Sequence, residues 1–355
     1  MKFKILIVAA IAAVCITASL TARYQKQTPE ERQNIAQNSQ DVSVNSAVRT
    51  LTLTAAGDCT LATDDYFDKS DSFVAYAENN GTDYFLKNVR GLFAEDDITL
   101  INLECALSDN GSREDKQFAF RGDPSYVNVM TSSSVEAANL ANNHSLDYGK
   151  TALDDTQALL EANGIITCRG KNNVTVGDIN GISVGFVGIN YLNDEMKTEL
   201  TDAISMAKNA GAELVILSIH WGIEKENYPE TEQIEAAHRA IDCGADIVIG
   251  THPHVLQGIE KYNGRYICYS LGNFCFGGNS DPSDKDTAIF RQTFTFDENG
   301  LRDDDNITIY PCRISGHDGY NDYQPKLAEG EQRDNIIERL TRYSAQISGA
   351  ELKFN

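Results

Sequence analysis

A layered α/β domain is the fold class that the sequence predicts, and three observations predict it. Short apolar runs alternate with stretches of helical periodicity, the runs end repeatedly in Asp, Glu, Asn or His, and 41% apolar with 23% charged residues is the composition of a chain with a buried core. At 355 residues the chain allows one large or two ordinary domains. In order, Leu51 to Ala56, Ile98 to Leu103, Ile182 to Ile189, Leu214 to Ile219 and Asp246 to Gly250 read as strands, and further runs between 255 and 310 predict added antiparallel pairing. Helices fall between them. Leu153, Thr156, Leu159 and Leu160 share a face before Gly164. Between Pro229 and Cys243, Pro229 takes a first-turn position, Ile234, Ala237 and Ile241 share a face, and Gly244 is the stop. A last helix over about 330 to 347 carries Ile336, Ile337, Leu340 and Tyr343 on one side, to pack on the domain or on a partner. The domain plan is therefore 1–22 as a signal segment, 23–47 as a linker, 48–316 as the folded domain and 317–355 as a helical extension.

The N-terminus has the form of an export signal. Lys2 and Lys4 precede an uncharged apolar run from Ile5 to Ala22, closed by Arg23. Cleavage after Ala22 would put the bulky Leu20 where a small residue is preferred. An uncleaved, single-pass membrane anchor with the rest of the chain extracytoplasmic is the reading, and secretion after cleavage is the alternative. Lipidation at Cys15 is disfavoured by Val14 before it. From Gln25 to about Ser46, Gln, Asn, Ser and Thr dominate, as in a flexible stalk. Thirty basic against 52 acidic side chains give a net charge of -22, which excludes nucleic acid as a partner. Of the eight cysteines, Cys15 lies in the apolar segment and the rest are odd in number. None pairs in CxxC spacing. Cysteines in strand-like segments, such as those around Cys168, Cys243 and Cys268, are expected to be buried and free. Cys59 and Cys105, each just after a carboxylate, are expected to pack beneath the site.

The chemistry lies at the strand ends. Gly57-Asp58 follows the first run, Asn102-Leu103-Glu104 ends the second, and Asn142-Asn143-His144 follows Ala137 to Ala141. His220 ends the next, and Thr251-His252-Pro253-His254 ends the one after. Each alone is commonplace in a turn. Five strand ends delivering such groups are a different matter, because an α/β sheet places its ligand crevice at the carboxyl ends of its strands. Carboxylate, amide oxygen and imidazole suit borderline divalent metals, so a two-metal hydrolytic centre, with one carboxylate shared between the ions and a water activated as nucleophile, is the expectation.

The strings GDCTL, NLECALSD, FAFRGDP, LANNHSLDYG, SIHWGIEKENYP, GADIVIGTHPHVLQGIE and YSLGNFCFGG, between residues 57 and 278, resemble in that order the poly-γ-glutamate capsule-synthesis proteins of the CapA/PgsA type. The resemblance spans about residues 50 to 315. It implies the fold of calcineurin-like metallophosphoesterases, a four-layer αββα sandwich, here behind an N-terminal membrane anchor. It implies Asp58 for a first metal, Glu104 as the bridging carboxylate, Asn143, His220 and His252 for a second metal, and His254 returning to the first. His144 would be the catalytic acid or a transition-state donor. The ions would be Mn, Fe, Zn or Mg. Two departures stand out: Thr60 occupies the position where the superfamily normally has His, and Glu104 replaces the usual Asp.

Near these residues, Arg121 offers a planar fork for a carboxylate or phosphate, Glu224 is placed to orient a histidine, and Asn273 is a further candidate for substrate binding. Trp221, Tyr228 and the Gly277-Gly278 loop are weaker ones, while His238 and His317 lie outside the motifs. Two functional classes follow. In the preferred one the protein is a metal-dependent hydrolase or transferase of capsule biosynthesis, acting on an anionic surface polymer or a small phosphoester or γ-glutamyl substrate beside membrane capsule-synthase partners. In the other it is a non-catalytic polyglutamate-binding or export component with a degenerate metal site, or a secreted nucleotidase-like phosphoesterase.

Overall fold

The computed structural model describes residues 48–303 and 305–348. The expected anchor (1–22) and stalk (23–47) lie outside the described residues. Among the described residues, no helix is long and apolar enough to cross a membrane.

Two sheets carry the architecture. In chain order the strands are β1 (Arg49–Thr60), β2 (Ile98–Leu103), β3 (Ala106–Leu107), β4 (Arg121–Gly122), β5 (Ala137–Asn139), β6 (Ile166–Cys168), β7 (Thr175–Ile179), β8 (Ile182–Asn190) and β9 (Leu214–His220). They continue with β10 (Ile247–Thr251), β11 (Ile259–Tyr262), β12 (Arg265–Cys268), β13 (Asn273–Phe276), β14 (Asp286–Asp297), β15 (Gly300–Leu301), β16 (Ile307–Arg313) and β17 (Lys326–Leu327). The larger sheet runs β17-β16-β14-β1-β2-β5-β6, with β13 beside β1 and β15 beside β14; the smaller runs β11-β12-β10-β9-β8-β7. Strands β1, β2, β5 and β6 are mutually parallel, as are β8, β9, β10 and β12. The expected antiparallel additions are β11 on β12 and the ladder β1-β14-β16-β17.

Alternation along the strands builds three apolar layers. Leu51, Leu53 and Ala55 of β1, Ile98 and Leu100 of β2, and Ala137 of β5 share a core with Val184, Phe186, Leu214, Ile216, Ile247 and Ile249 of the smaller sheet. Their i+1 neighbours, such as Ile101 and Leu103, or Val215, Leu217 and Val248, enter separate cores on the outer faces. Parallel strands buried on both faces read as continuous apolar runs for this reason.

Helices cover both outer faces, which makes a four-layer αββα order. On the larger sheet lie α1 (Phe73–Asn80), α2 (Arg90–Phe93), α3 (Val127–Thr131) and α4 (Gly149–Ala162), with Phe73, Phe93, Val127, Leu153 and Leu160 in the core. On the smaller lie α5 (Asp194–Asn209) and α6 (Thr231–Asp242), through Leu200, Ile204, Ala236, Ala237 and Ala240. Each fully buried Leu, Ile or Phe contributes roughly 1.5–3 kcal/mol relative to exposure. The last helix, α7 (Gly330–Ser348), joins the inter-sheet core through Ile336, Leu340 and Tyr343, with Ile337 half-buried.

Three local expectations need correction. Pro229 lies outside α6, because Glu230 is the N-cap and forms a reciprocal capping box with Gln233. Strand β1 does not end at Ala56 but runs on through Asp58 to Thr60, since a register shift lets it pair with both β2 and β13 there. Cys243 is exposed at the C-cap of α6, although the other six described cysteines are buried; all seven are free. Cys59 and Cys105 do sit in the core under the larger sheet.

Candidate metal centre

The period-2 alternation that fills the inter-sheet core carries straight on into polar residues. Beyond Ile98 and Leu100 come Asn102 and Glu104; beyond Ala137 comes Asn139; beyond Leu214 and Ile216 come Ser218 and His220; beyond Ile247 and Ile249 comes Thr251. The mouth of the layer between the sheets is thereby lined with hydrogen-bonding groups, and all of these are buried. Gly57 makes this possible beside Asp58: a Cβ there would stand 1.9 Å from the carbonyl oxygen of Gly272, whose oxygen accepts from the Asp58 amide at 3.0 Å.

An amide ladder fixes the first carboxylate. Asn102 donates to Asp58 at 2.7 Å and accepts from Asn139 at 3.0 Å and Asn142 at 3.1 Å. Asn142 also donates to the Leu103 carbonyl at 2.8 Å, which ties the 140–148 loop to β2. The His252 amide donates to Asp58 at 3.1 Å. His252 and His254 take positive φ of 96° and 58°, on either side of Pro253, and this left-handed backbone turns both imidazoles into one site. Such conformations cost of order 1–3 kcal/mol each and cluster at functional sites.

The six expected donors come together. Asp58, Glu104 and His254 form one set of mutually close ligand atoms, and Glu104, His220 and His252 form a second; within each set the atoms lie within 4.8 Å of one another. Glu104 belongs to both. His220 Nε2 is 2.9 Å from Asn143 Oδ1 and 3.5 Å from Glu104, while its Nδ1 faces Thr251 Oγ1 at 3.0 Å. His254 Nδ1 is 2.9 Å from Asn273 Oδ1 and 3.4 Å from Asp58, with Nε2 3.8 Å from Glu104. Glu224 is exposed and closes a third set with His252 and His254. Both oxygens of Glu104 and Nδ1 of His252 are buried without a hydrogen-bond partner. Such orphaned acceptors are costly unless something binds them, so the residues present fit a divalent cation.

Electrostatics agree with an unbalanced pair of carboxylates. Burial and the neighbouring Asp58 push the Glu104 carboxyl well above its usual range. Burial opposes protonation of His254, yet Glu104 and Asp58 outweigh it and push it up to about 10. Burial, reinforced by His254, brings His252 down to about 4, and burial with His252 and His254 nearby lowers His220 strongly. These opposed shifts make the cluster as a whole a proton acceptor when no metal balances its carboxylates.

His144 stands beside these sets without joining them. Its Nδ1 is 2.7 Å from Asp147, a buried carboxylate that also accepts from Lys116 at 2.5 Å and from the Phe120 amide at 2.6 Å. Burial lowers the His144 pKa against the pull of Asp147. His144, Glu224, His254 and Asn273 line a cavity of about 670 Å³. Asn273 spends both ends of its amide on His254, the second being a 3.2 Å bond to the His254 carbonyl.

Other candidates are placed elsewhere. Arg121 is not among the cavity-lining residues; its guanidinium stacks 4.1 Å over Tyr148 and faces Asp65 at 4.0 Å. Trp221 is buried against Tyr269, and Tyr228 packs on Tyr343. His238 stacks on Tyr262 and bonds Glu260, and His317 stacks on Tyr320. Thr60 is buried with Oγ1 unpartnered. Sequence reasoning assigned no role to Asn102, Asn139, Asp147 or Thr251, although the inner-face alternation marks three of them.

Fold and site together define an αββα sandwich protein with a buried carboxylate–imidazole cluster at the mouth between its sheets. The family model for bacterial capsule synthesis protein PGA_cap matches residues 52–278, and the chain belongs to that family. It is 30% identical over 221 residues to the PGA biosynthesis protein CapA of Bacillus subtilis (strain 168), covering 56% of this chain and 58% of that protein. It is 33% identical over 223 residues to the capsule biosynthesis protein CapA of Bacillus anthracis, covering 55% and 54%. The chain thus spans somewhat over half the length of these relatives. A hypothetical protein from Thermus thermophilus superposes with a TM-score of 0.45 at 15% identity, over 74% of this chain and 98% of that one.

Proposed function

We propose that this protein is an extracytoplasmic component of capsule or poly-γ-glutamate biosynthesis with a divalent-metal-dependent hydrolase or transferase centre on a metallophosphoesterase-like fold. The observation that carries the reading is the pair of donor sets sharing Glu104, whose two oxygens are buried and unpartnered. Asp58, Glu104 and His254 would hold one ion, and Glu104, His220, His252 and the Asn143 amide oxygen the other. When bound, such ions supply Lewis-acid polarisation of the scissile group and an activated water.

The chain's own residues do the rest. Asn102 and the His252 amide hold Asp58 in register, and Asn273 holds His254. His144, oriented through Nδ1 by Asp147, is left with Nε2 to exchange a proton with a leaving group in the cavity. An anionic substrate entering beside it favours the charged imidazole that burial alone disfavours.

The test is elemental analysis of the purified chain together with a screen of phosphoesters and γ-glutamyl peptides. Bound divalent metal with metal-dependent turnover is the expected outcome; metal without turnover of any class would favour a binding or export component. Because the facing carboxylates raise His254, against its burial, up to about 10, and burial with Asp58 raises Glu104, the metal-free cluster takes up protons, so loading should release them and tighten as pH rises from about 6 to about 8. Calorimetry in two buffers of different ionisation enthalpy measures this, and an uptake independent of pH and buffer would contradict it.

Residues 5–22 would tether the protein with its folded part outside the membrane. Protease added to wall-stripped cells should digest the folded part. Full protection would mean the reverse orientation.

A further inference from the structure

The cavity beside the cluster has an aromatic wall that the metal chemistry does not use. Tyr66, 78% exposed, and Phe118, 40% exposed, stand among its lining residues with Phe67, whose ring meets Phe118 edge-on at 5.8 Å. Deeper in, Phe120 lies 4.7 Å from the His144 ring and Phe276 lies 5.2 Å from the His254 ring, so the wall is continuous with both histidines. Gly278 allows this floor: a Cβ there would come within 2.7 Å of the Phe276 ring and 3.1 Å of the Phe120 ring.

Buried carboxylates hold the wall in place. Asp64 accepts from the Tyr66 amide at 2.8 Å, from the Ala119 amide at 2.6 Å and from Arg113 at 2.8 Å, and Arg113 stacks 4.1 Å over the Tyr66 ring. Asp147 holds the Phe120 amide and the His144 imidazole with one carboxylate. Large apolar side chains left in water but fixed from beneath mark a recognition surface rather than chance exposure. At about 670 Å³ the cavity has the size of a small-molecule site.

Charge narrows the ligand. Lys225 is the one Lys or Arg among the described lining residues, against Asp68, Glu224, Asp281 and Asp284. Lys285 pairs with Asp281 and Arg339 with Asp284, but both of these cations lie outside the lining. A run of γ-linked glutamates has no ring to lay on the aromatic wall and meets like charge at the acidic side. A ligand with one anionic head at the cluster and a planar ring fits both.

We propose that the aromatic wall is a subsite for a planar ring carried by the substrate, so that this cavity takes a small ring-bearing phosphoester and not the polyglutamate chain. The inference rests on the metal-centre reading above. Its test compares phenyl phosphate, methyl phosphate and a γ-linked glutamate oligomer for binding to the full chain, with and without Mn²⁺. Phenyl phosphate should bind in a Mn²⁺-dependent way about tenfold more tightly than methyl phosphate, the size of a favourable aromatic contact. Phe118→Ser and Tyr66→Ser should each erode that preference, and Phe118→Tyr should keep it. Both positions are exposed, and unchanged melting of the variants separates lost recognition from lost folding. Mn²⁺-dependent binding with no preference between the two esters would overturn the subsite and leave the metal centre standing. An oligomer bound more tightly than phenyl phosphate would overturn it as well. Absence of any Mn²⁺-dependent binding would overturn the metal-centre reading and the subsite with it.

Discussion

Replacing His252 by alanine is expected to strip metal and activity together. His252 supplies a buried imidazole to the set it shares with Glu104 and His220, and its Nδ1 has no protein partner. Removal of a group that only orients a ligand typically costs roughly 10- to 100-fold in metal affinity, so losing a ligand itself should cost at least about 100-fold. The fold should survive, because His252 lies just after β10 and its amide, not its side chain, holds Asp58. A non-glycine residue at φ 96° is strained whichever side chain it carries, so alanine neither relieves nor adds to that cost. Metal content per chain, read beside the melting temperature, checks the prediction. A variant that retained full metal would place His252 outside the centre.

Much of this site is legible in the sequence because strand ends advertise themselves. Glu104, His220 and His252 each stand at, or one residue beyond, the end of a strand; β2 of the larger sheet and the parallel pair β9 and β10 of the smaller bring them to the mouth between the sheets. Asp58 is visible for the same reason, although its strand continues four residues further than the apolar pattern does. The pattern breaks at Gly57-Asp58 because the register shifts there, and hydrophobicity carries no trace of a second partner strand. The aromatic wall is not legible. Tyr66, Phe67 and Phe118 sit in segments without periodicity, and what fixes them is Asp64 paired with Arg113, 49 positions away. Only the folded topology brings such pairs together. Arg121 illustrates the converse: a guanidinium in a promising motif finds an aromatic face and a carboxylate of its own. Cys243, read as buried beside Cys168 and Cys268, falls at a helix end, where the chain turns back to solvent.

His144→Ala is expected to lower turnover by roughly 10²- to 10⁴-fold, the range of a positioned general acid, while metal content stays nearly unchanged. The geometry separates these effects. His144 belongs to neither donor set that shares Glu104, its Nδ1 is committed to Asp147 at 2.7 Å, and it lines the cavity in which a leaving group would sit. Because burial lowers its pKa, the protonated form depends on Asp147 and on the negative charge of the bound substrate. Turnover limited by that proton should fall as pH rises through the imidazole's titration in the complex. Asp147→Asn should move that fall to lower pH by removing the carboxylate that supports the charged ring. Asp147 also anchors Phe120 and Lys116, so this second variant is read with its melting temperature. Equal metal loss in His144→Ala and His252→Ala would make His144 a ligand. Unchanged capsule formation in both would favour a binding component, which has no need of a leaving-group donor held 2.7 Å from a buried carboxylate.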